Sequence, residues 1–81
     1  MKAPLTLYSR AGCHLCDAML AEVSAFCAGR PVELDVVDVD SSPDLISRYG
    51  LKVPVLVGTD GELCHGRLDD EALADYLWAF Q

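Results

Sequence analysis

Two β-type runs, Leu5–Ser9 and Val32–Val39, stand on either side of one helical stripe, and that arrangement leaves the chain little topological choice. Leu5–Ser9 (LTLYS) alternates like a half-buried strand and is broken by Gly12. From about residue 14 to 28, apolar residues Cys16, Met19, Leu20, Val23, Phe26 and Cys27 recur at offsets 0, 3, 4, 7, 10 and 11. Those offsets mark one face of an α-helix, which Gly29 and Pro31 stop. Val32–Val39 (VELDVVDV) is apolar at 32, 34 and 36, then shifts phase to 37 and 39. The shift predicts either a bulge or burial on both faces. Strand, helix and strand in so short a span predict a parallel pair joined by a right-handed crossover.

The remainder reads as a short helix, a hairpin and a last helix. Ser42 is an N-cap and Pro43 a first helical residue, for a helix through Leu45, Ile46 and Tyr49 that ends at Gly50. Val53–Val57 (VPVLV) is a strand too short to be a helix, Asp60-Gly61 is a hairpin turn, and Glu62–His65 returns. Asp69 caps a final helix with Leu73, Tyr76, Leu77 and Phe80 on one face. The Val36–Val39 run and Trp78 read as packing residues. The order βαβ, short helix, ββα predicts an α/β fold with a mixed four-stranded sheet flanked by helices, one domain over residues 1–81.

Composition narrows the function. Of the 81 residues 52% are hydrophobic, a globular composition, and 13 acidic against 6 basic residues give a net charge of −7. Phosphate backbones and anionic membranes want a basic face, so neither nucleic acid nor membrane is an expected partner. No run nears the roughly 18 apolar residues of a membrane span, and Met1-Lys2-Ala3-Pro4 does not read as a signal peptide. The expectation is a cytoplasmic monomer, a compartment in which cysteines serve as thiols, ligands or redox centres more than as staples.

Cys13-His14-Leu15-Cys16 places a C-x-x-C where strand gives way to helix. Residues three apart on a first helical turn share a side, so two sulfurs can close a disulfide there. Unpaired N–H groups and the positive end of the helix dipole stabilise a thiolate, the reactive species. Cys13, at the cap, is the expected nucleophile. Cys16, on the apolar stripe, is the expected resolving thiol that breaks the mixed disulfide. Arg10 and His14 are nearby groups able to favour a thiolate. C-x-x-C is also half of many zinc centres, but the other half here would be Cys64 and His65, and strand neighbours point to opposite faces. No metal ligand is assigned. Cys27 and Cys64 read as buried thiols and His65 as a strand-end residue.

Three segments carry a family resemblance. Leu7–Cys16 (LYSRAGCHLC) resembles the start of glutaredoxins, a strand ending Y-S-K-x-x-C-P-Y-C. Arg48–Leu56 (RYGLKVPVL) resembles their R-Y-G-V-x-x-V-P-x-x segment, and Gly66–Asp70 (GRLDD) resembles the turn before their last helix. Order and spacing match over nearly the whole chain, as in short glutaredoxin-like domains of bacteria. The resemblance implies a thioredoxin-type fold with sheet order 2-1-3-4 and a cis Val53–Pro54 bond that turns the Val53 backbone toward an extended thiol substrate. It implies glutathione contacts at Arg10 and Lys52 for the carboxylates and at Asp69, with Asp70 beside it, for the amine. His14 and Leu15, which stand in place of the intervening proline and tyrosine, are with Val53 and Pro54 the other substrate contacts the resemblance implies, and Lys52 stands in place of threonine.

The function expected is thiol–disulfide exchange without a bound cofactor. Its substrates would be protein or glutathione-mixed disulfides, and its electron donor glutathione or a flavoprotein reductase. Two other classes stay open on the sequence: a zinc or iron–sulfur protein using Cys13 and Cys16, and a non-catalytic adaptor on the same fold.

Overall fold

Strand β1 (Ala3–Ser9) has a neighbour on each edge, and the other elements are arranged around it in the computed structural model, which describes residues 2–80. Helix α1 (His14–Cys27) carries the chain back over the sheet to β2 (Val32–Asp38), which pairs with β1 in parallel from Ala3↔Val32 to Ser9↔Asp38. A 3₁₀ turn (Val39–Ser41) and α2 (Pro43–Tyr49) lead to β3 (Val55–Gly58), antiparallel to β1. β4 (Gly61–His65) completes the sheet and α3 (Asp70–Trp78) closes the fold. The strand order is β2-β1-β3-β4, as the resemblance implied.

Alternation along β1 sorts its side chains between two layers. Ala3, Leu5 and Leu7 join Met19 and Val23 of α1, Leu56 and Cys64 of the hairpin, and Leu73 and Leu77 of α3 in one core. Tyr8, facing the other way, stacks on Tyr49 of α2 with ring centroids 4.3 Å apart. α1 and α3 therefore cover one face and α2 the other. α2 contributes no fully buried residue of its own. The Tyr76 hydroxyl of α3 fastens that helix to the start of β1 and to the hairpin turn at the same end of the sheet, donating to the Pro4 carbonyl and accepting from the Thr59 N–H. Its ring lies so close to Gly58 that a Cβ there would sit 2.5 Å from Cε1, so only glycine fits.

Several expectations are corrected. β2 has no bulge and stays in register along its whole length. It is an edge strand with Val32 and Leu34 half-buried on one face and Val37 on the other, while Val39 has left the strand and is buried in the 3₁₀ turn. Val36 and Trp78, read as packing residues, are 51% and 73% exposed, one on the sheet edge and one off the stripe of α3. The register shift lies instead in the hairpin, where Leu56 and Val57 oppose Cys64 and Glu62. The hairpin turn is Thr59-Asp60, because Gly61 already pairs with Gly58. β3 starts at Val55 and not Val53, as Pro54 has no N–H to give a ladder. Among the described residues no helix is long and apolar enough to cross a membrane.

Leu7 has no exposed surface in the central strand. Leu7→Ala is therefore expected to cost about 2–5 kcal/mol in urea denaturation, whereas Val36→Thr on the exposed edge is expected to stay within about 0.5 kcal/mol.

Candidate active site

The end of β1 delivers the chain into the cysteine pair. Gly12, at φ 75°, takes the left-handed conformation that turns the loop into α1. Cys13 is the N-cap of α1, in extended conformation, and its Sγ accepts the Cys16 N–H at 3.1 Å. Cys13 and Cys16 are joined as a disulfide with their Cα atoms 5.2 Å apart. The two sulfurs differ in access. Cys13 is half-buried, while Cys16 is 1% exposed on the helix face that enters the core. Between them, His14 and Leu15 are both exposed.

Strand pairing brings three other segments to the same end of the sheet. Tyr8 pairs with Val55, so the cis Val53–Pro54 peptide lies beyond β3 next to the loop that follows β1. Val55 pairs with His65, which adds Gly66 and Arg67, and the Gly66 N–H donates to the Pro54 carbonyl at 2.8 Å. Ser9 pairs with Asp38, which adds the 3₁₀ turn. Among the described residues Val53, outside any strand, makes no backbone hydrogen bond through its N–H or C=O. Leu15, Ala18 and Glu22 of α1 face Gly66, Arg67 and Leu68 across a groove of about 230 Å³.

The residues that resemblance assigned to glutathione hold partners within the chain. Arg10 places Nε and Nη2 on the two carboxylate oxygens of Asp40, each at 3.0 Å, and Nη1 on the Gly50 carbonyl at 3.0 Å. The hydrogen bond to Asp40 raises the guanidinium's already high pKa. Lys52 pairs with Glu62, whose other oxygen meets His65 Nδ1 at 2.8 Å. Lys52, then His65, hold the Glu62 carboxyl below its usual range. Asp69 is the N-cap of α3, accepting the Ala72 N–H at 3.1 Å, and Asp70 is the first residue of that helix. Asp40 and Glu62 carry no signal of their own in the sequence. Arg10 and Asp40 are 30 positions apart and Lys52 and Glu62 are 10 apart, so no local pattern announces either pair.

Cys27, half-buried at the end of α1 and not the buried thiol expected, and Cys64, buried in β4, are free thiols away from the pair. Burial pushes both up from the ordinary thiol range. For Cys64 the Asp69 backbone N–H pulls the other way and is outweighed. Cys64 is buried and His65 exposed, neighbours that point to opposite faces of the edge strand β4. Among the described residues no three His, Cys, Asp or Glu side chains converge as a metal-binding group.

A mixed sheet in the order β2-β1-β3-β4, with a cysteine pair at the start of the helix after β1, defines a thioredoxin-like α/β domain. Residues 4–78 match the family model described as Glutaredoxin-like domain (DUF836), and the chain belongs to that family. It is similar to the solution structure of protein Ne2328 from Nitrosomonas europaea at 35% identity and a TM-score of 0.83, covering 94% of this chain and 92% of that one. It is similar to protein XcR50 from X. campestris at 39% identity and a TM-score of 0.70, covering 93% and 96%. The oxidised mitochondrial thioredoxin 3 of Saccharomyces cerevisiae, at 21% identity, a TM-score of 0.67 and coverage of 96% and 78%, shares the fold. No curated protein matches the chain.

Burial should keep Cys27 and Cys64 protonated near neutral pH. In the reduced, folded protein at pH 7, iodoacetamide is expected to leave Cys64 unmodified and to label half-buried Cys27 only slowly, while both react fully in urea, read by mass spectrometry of peptides. Labelling of Cys64 in the folded protein at the unfolded rate would contradict the placement.

Proposed function

We propose that this domain is a thiol–disulfide oxidoreductase that reduces protein disulfides or mixed disulfides with glutathione, with Cys13 as nucleophile and Cys16 as resolving thiol. One observation carries the reading: the Cys13 sulfur caps α1 and receives the Cys16 N–H, while Cys16 itself is buried beneath it. A thiolate at Cys13 would gain that hydrogen bond and the positive end of a 14-residue helix.

The exchange runs in two displacements. The Cys13 thiolate attacks one sulfur of a substrate disulfide, whose S–S bond breaks, and the departing thiolate takes a proton. Cys16, deprotonated, then attacks the Cys13 sulfur of the mixed disulfide and expels the second substrate thiol. The substrate gains two electrons and two protons, and the Cys13–Cys16 disulfide holds the oxidation. Two glutathione thiols, or a flavoprotein disulfide reductase, return the pair to the dithiol. Val53, with its N–H and C=O uncommitted, supports docking of an extended substrate as an added strand beside Pro54.

Cys13→Ser is expected to lower disulfide reduction by more than about a hundredfold. Cys16→Ser is expected to trap the substrate as a mixed disulfide on Cys13, seen as added mass that dithiothreitol removes. Full activity in Cys13→Ser would overturn the proposal. So would a stoichiometric metal in the purified protein that Cys13→Ser releases, which would favour a metal-binding role. Turnover with glutathione alone against turnover with a flavoprotein reductase identifies the donor.

A further inference from the structure

We propose that the Cys13–Cys16 site selects polypeptide disulfides whose cysteine is flanked by cationic side chains and discriminates against glutathione. The inference rests on the oxidoreductase reading and names its substrate class. Glutathione carries two carboxylates and one ammonium, so its recognition needs cations free to receive it. Both cations the resemblance offers are already held by carboxylates of this chain. Arg10 commits three of its five N–H donors, two of them to both oxygens of Asp40 and one to Gly50. Lys52 is drawn by Glu62, which lies three residues before His65 and so back along β4 from the site end of the sheet. A ligand carboxylate would have to displace an internal one at each place, exchanging like for like with no net gain.

The surroundings favour the opposite charge. Asp17 lies in the first turn of α1, Asp38 ends β2 beside Arg10, and Asp69 and Asp70 open α3. Arg67 lines the same groove as Glu22, and the two cancel in net charge there. A potential of this sign attracts cations and slows anions. The remaining features suit a polypeptide. Leu15, between the two cysteines, and Leu51, two residues before Val53, are exposed apolar side chains that offer contact to residues flanking a bound cysteine. The uncommitted Val53 backbone offers strand pairing, which wants an extended main chain.

The test uses the reduced full chain and four disulfides: those of end-blocked Lys-Cys-Lys and Glu-Cys-Glu peptides, glutathione disulfide, and neutral hydroxyethyl disulfide. Each second-order rate is divided by that of dithiothreitol with the same disulfide, which removes intrinsic reactivity. At low salt the basic peptide is expected to react at least about tenfold faster than the acidic peptide and glutathione disulfide. The ratio should approach one at about 1 M salt, where charges are screened. Combining Asp40→Asn with Glu62→Gln should narrow it. Equal rates for the two peptides, glutathione disulfide reacting fastest, or a ratio unmoved by salt or by the double variant would each overturn the inference and leave the oxidoreductase reading standing. No reaction even with the neutral disulfide would overturn that reading, and the inference with it.

Discussion

The double pairing of β1 is the constraint on which the rest of the molecule depends. Its parallel edge holds β2 and its antiparallel edge holds β3, so its side chains project alternately toward one of two layers. Leu5 and Leu7 point to the layer of α1 and α3, and Tyr8 to that of α2. Because β1 is central, its end is also the place where chain segments from every strand converge. The cysteine pair, the Val53–Pro54 peptide and the Gly66 turn meet there through register alone.

The same geometry distributes four cysteines among different environments. Cys13 has an N–H donor and a helix end in front of it, whereas Cys27 and Cys64 have apolar neighbours. A helix end favours a charged sulfur and an apolar core favours a protonated one. The chain can therefore carry thiols in its core without their competing with the pair at the helix start.

Much of this was legible in the sequence where the signal is local. The period of α1, the Ser42 and Asp69 caps and the C-x-x-C spacing all arise from residues within a turn or two of each other. Sheet order and the cis peptide came only through resemblance, because neither leaves a periodic trace. Apolarity alone assigns Val36 and Trp78 to packing, because it does not reveal which strand is at the edge or where a helical stripe ends. The ion pairs of Arg10 and Lys52 were illegible for a third reason: each joins elements that only the completed fold brings together.

α2 contributes no fully buried residue and is held to the sheet by the Tyr8–Tyr49 stack and by Arg10, which reaches both the preceding 3₁₀ turn and the Gly50 carbonyl. Elements with few buried apolar contacts open at a lower free energy than the global unfolding of a domain. With Val39 buried in the 3₁₀ turn ahead of it, α2 alone, from Pro43 to Tyr49, is the element expected to open at a lower free energy than β1, α1 and α3. Its far end runs through Gly50 into Leu51, Lys52 and Val53, so a helix without buried side chains adjoins the main chain proposed to meet an extended substrate. The cysteine pair is fixed to a helix anchored in the core by Cys16, Met19 and Val23, while the chain beside it follows a helix that buries none of its own side chains.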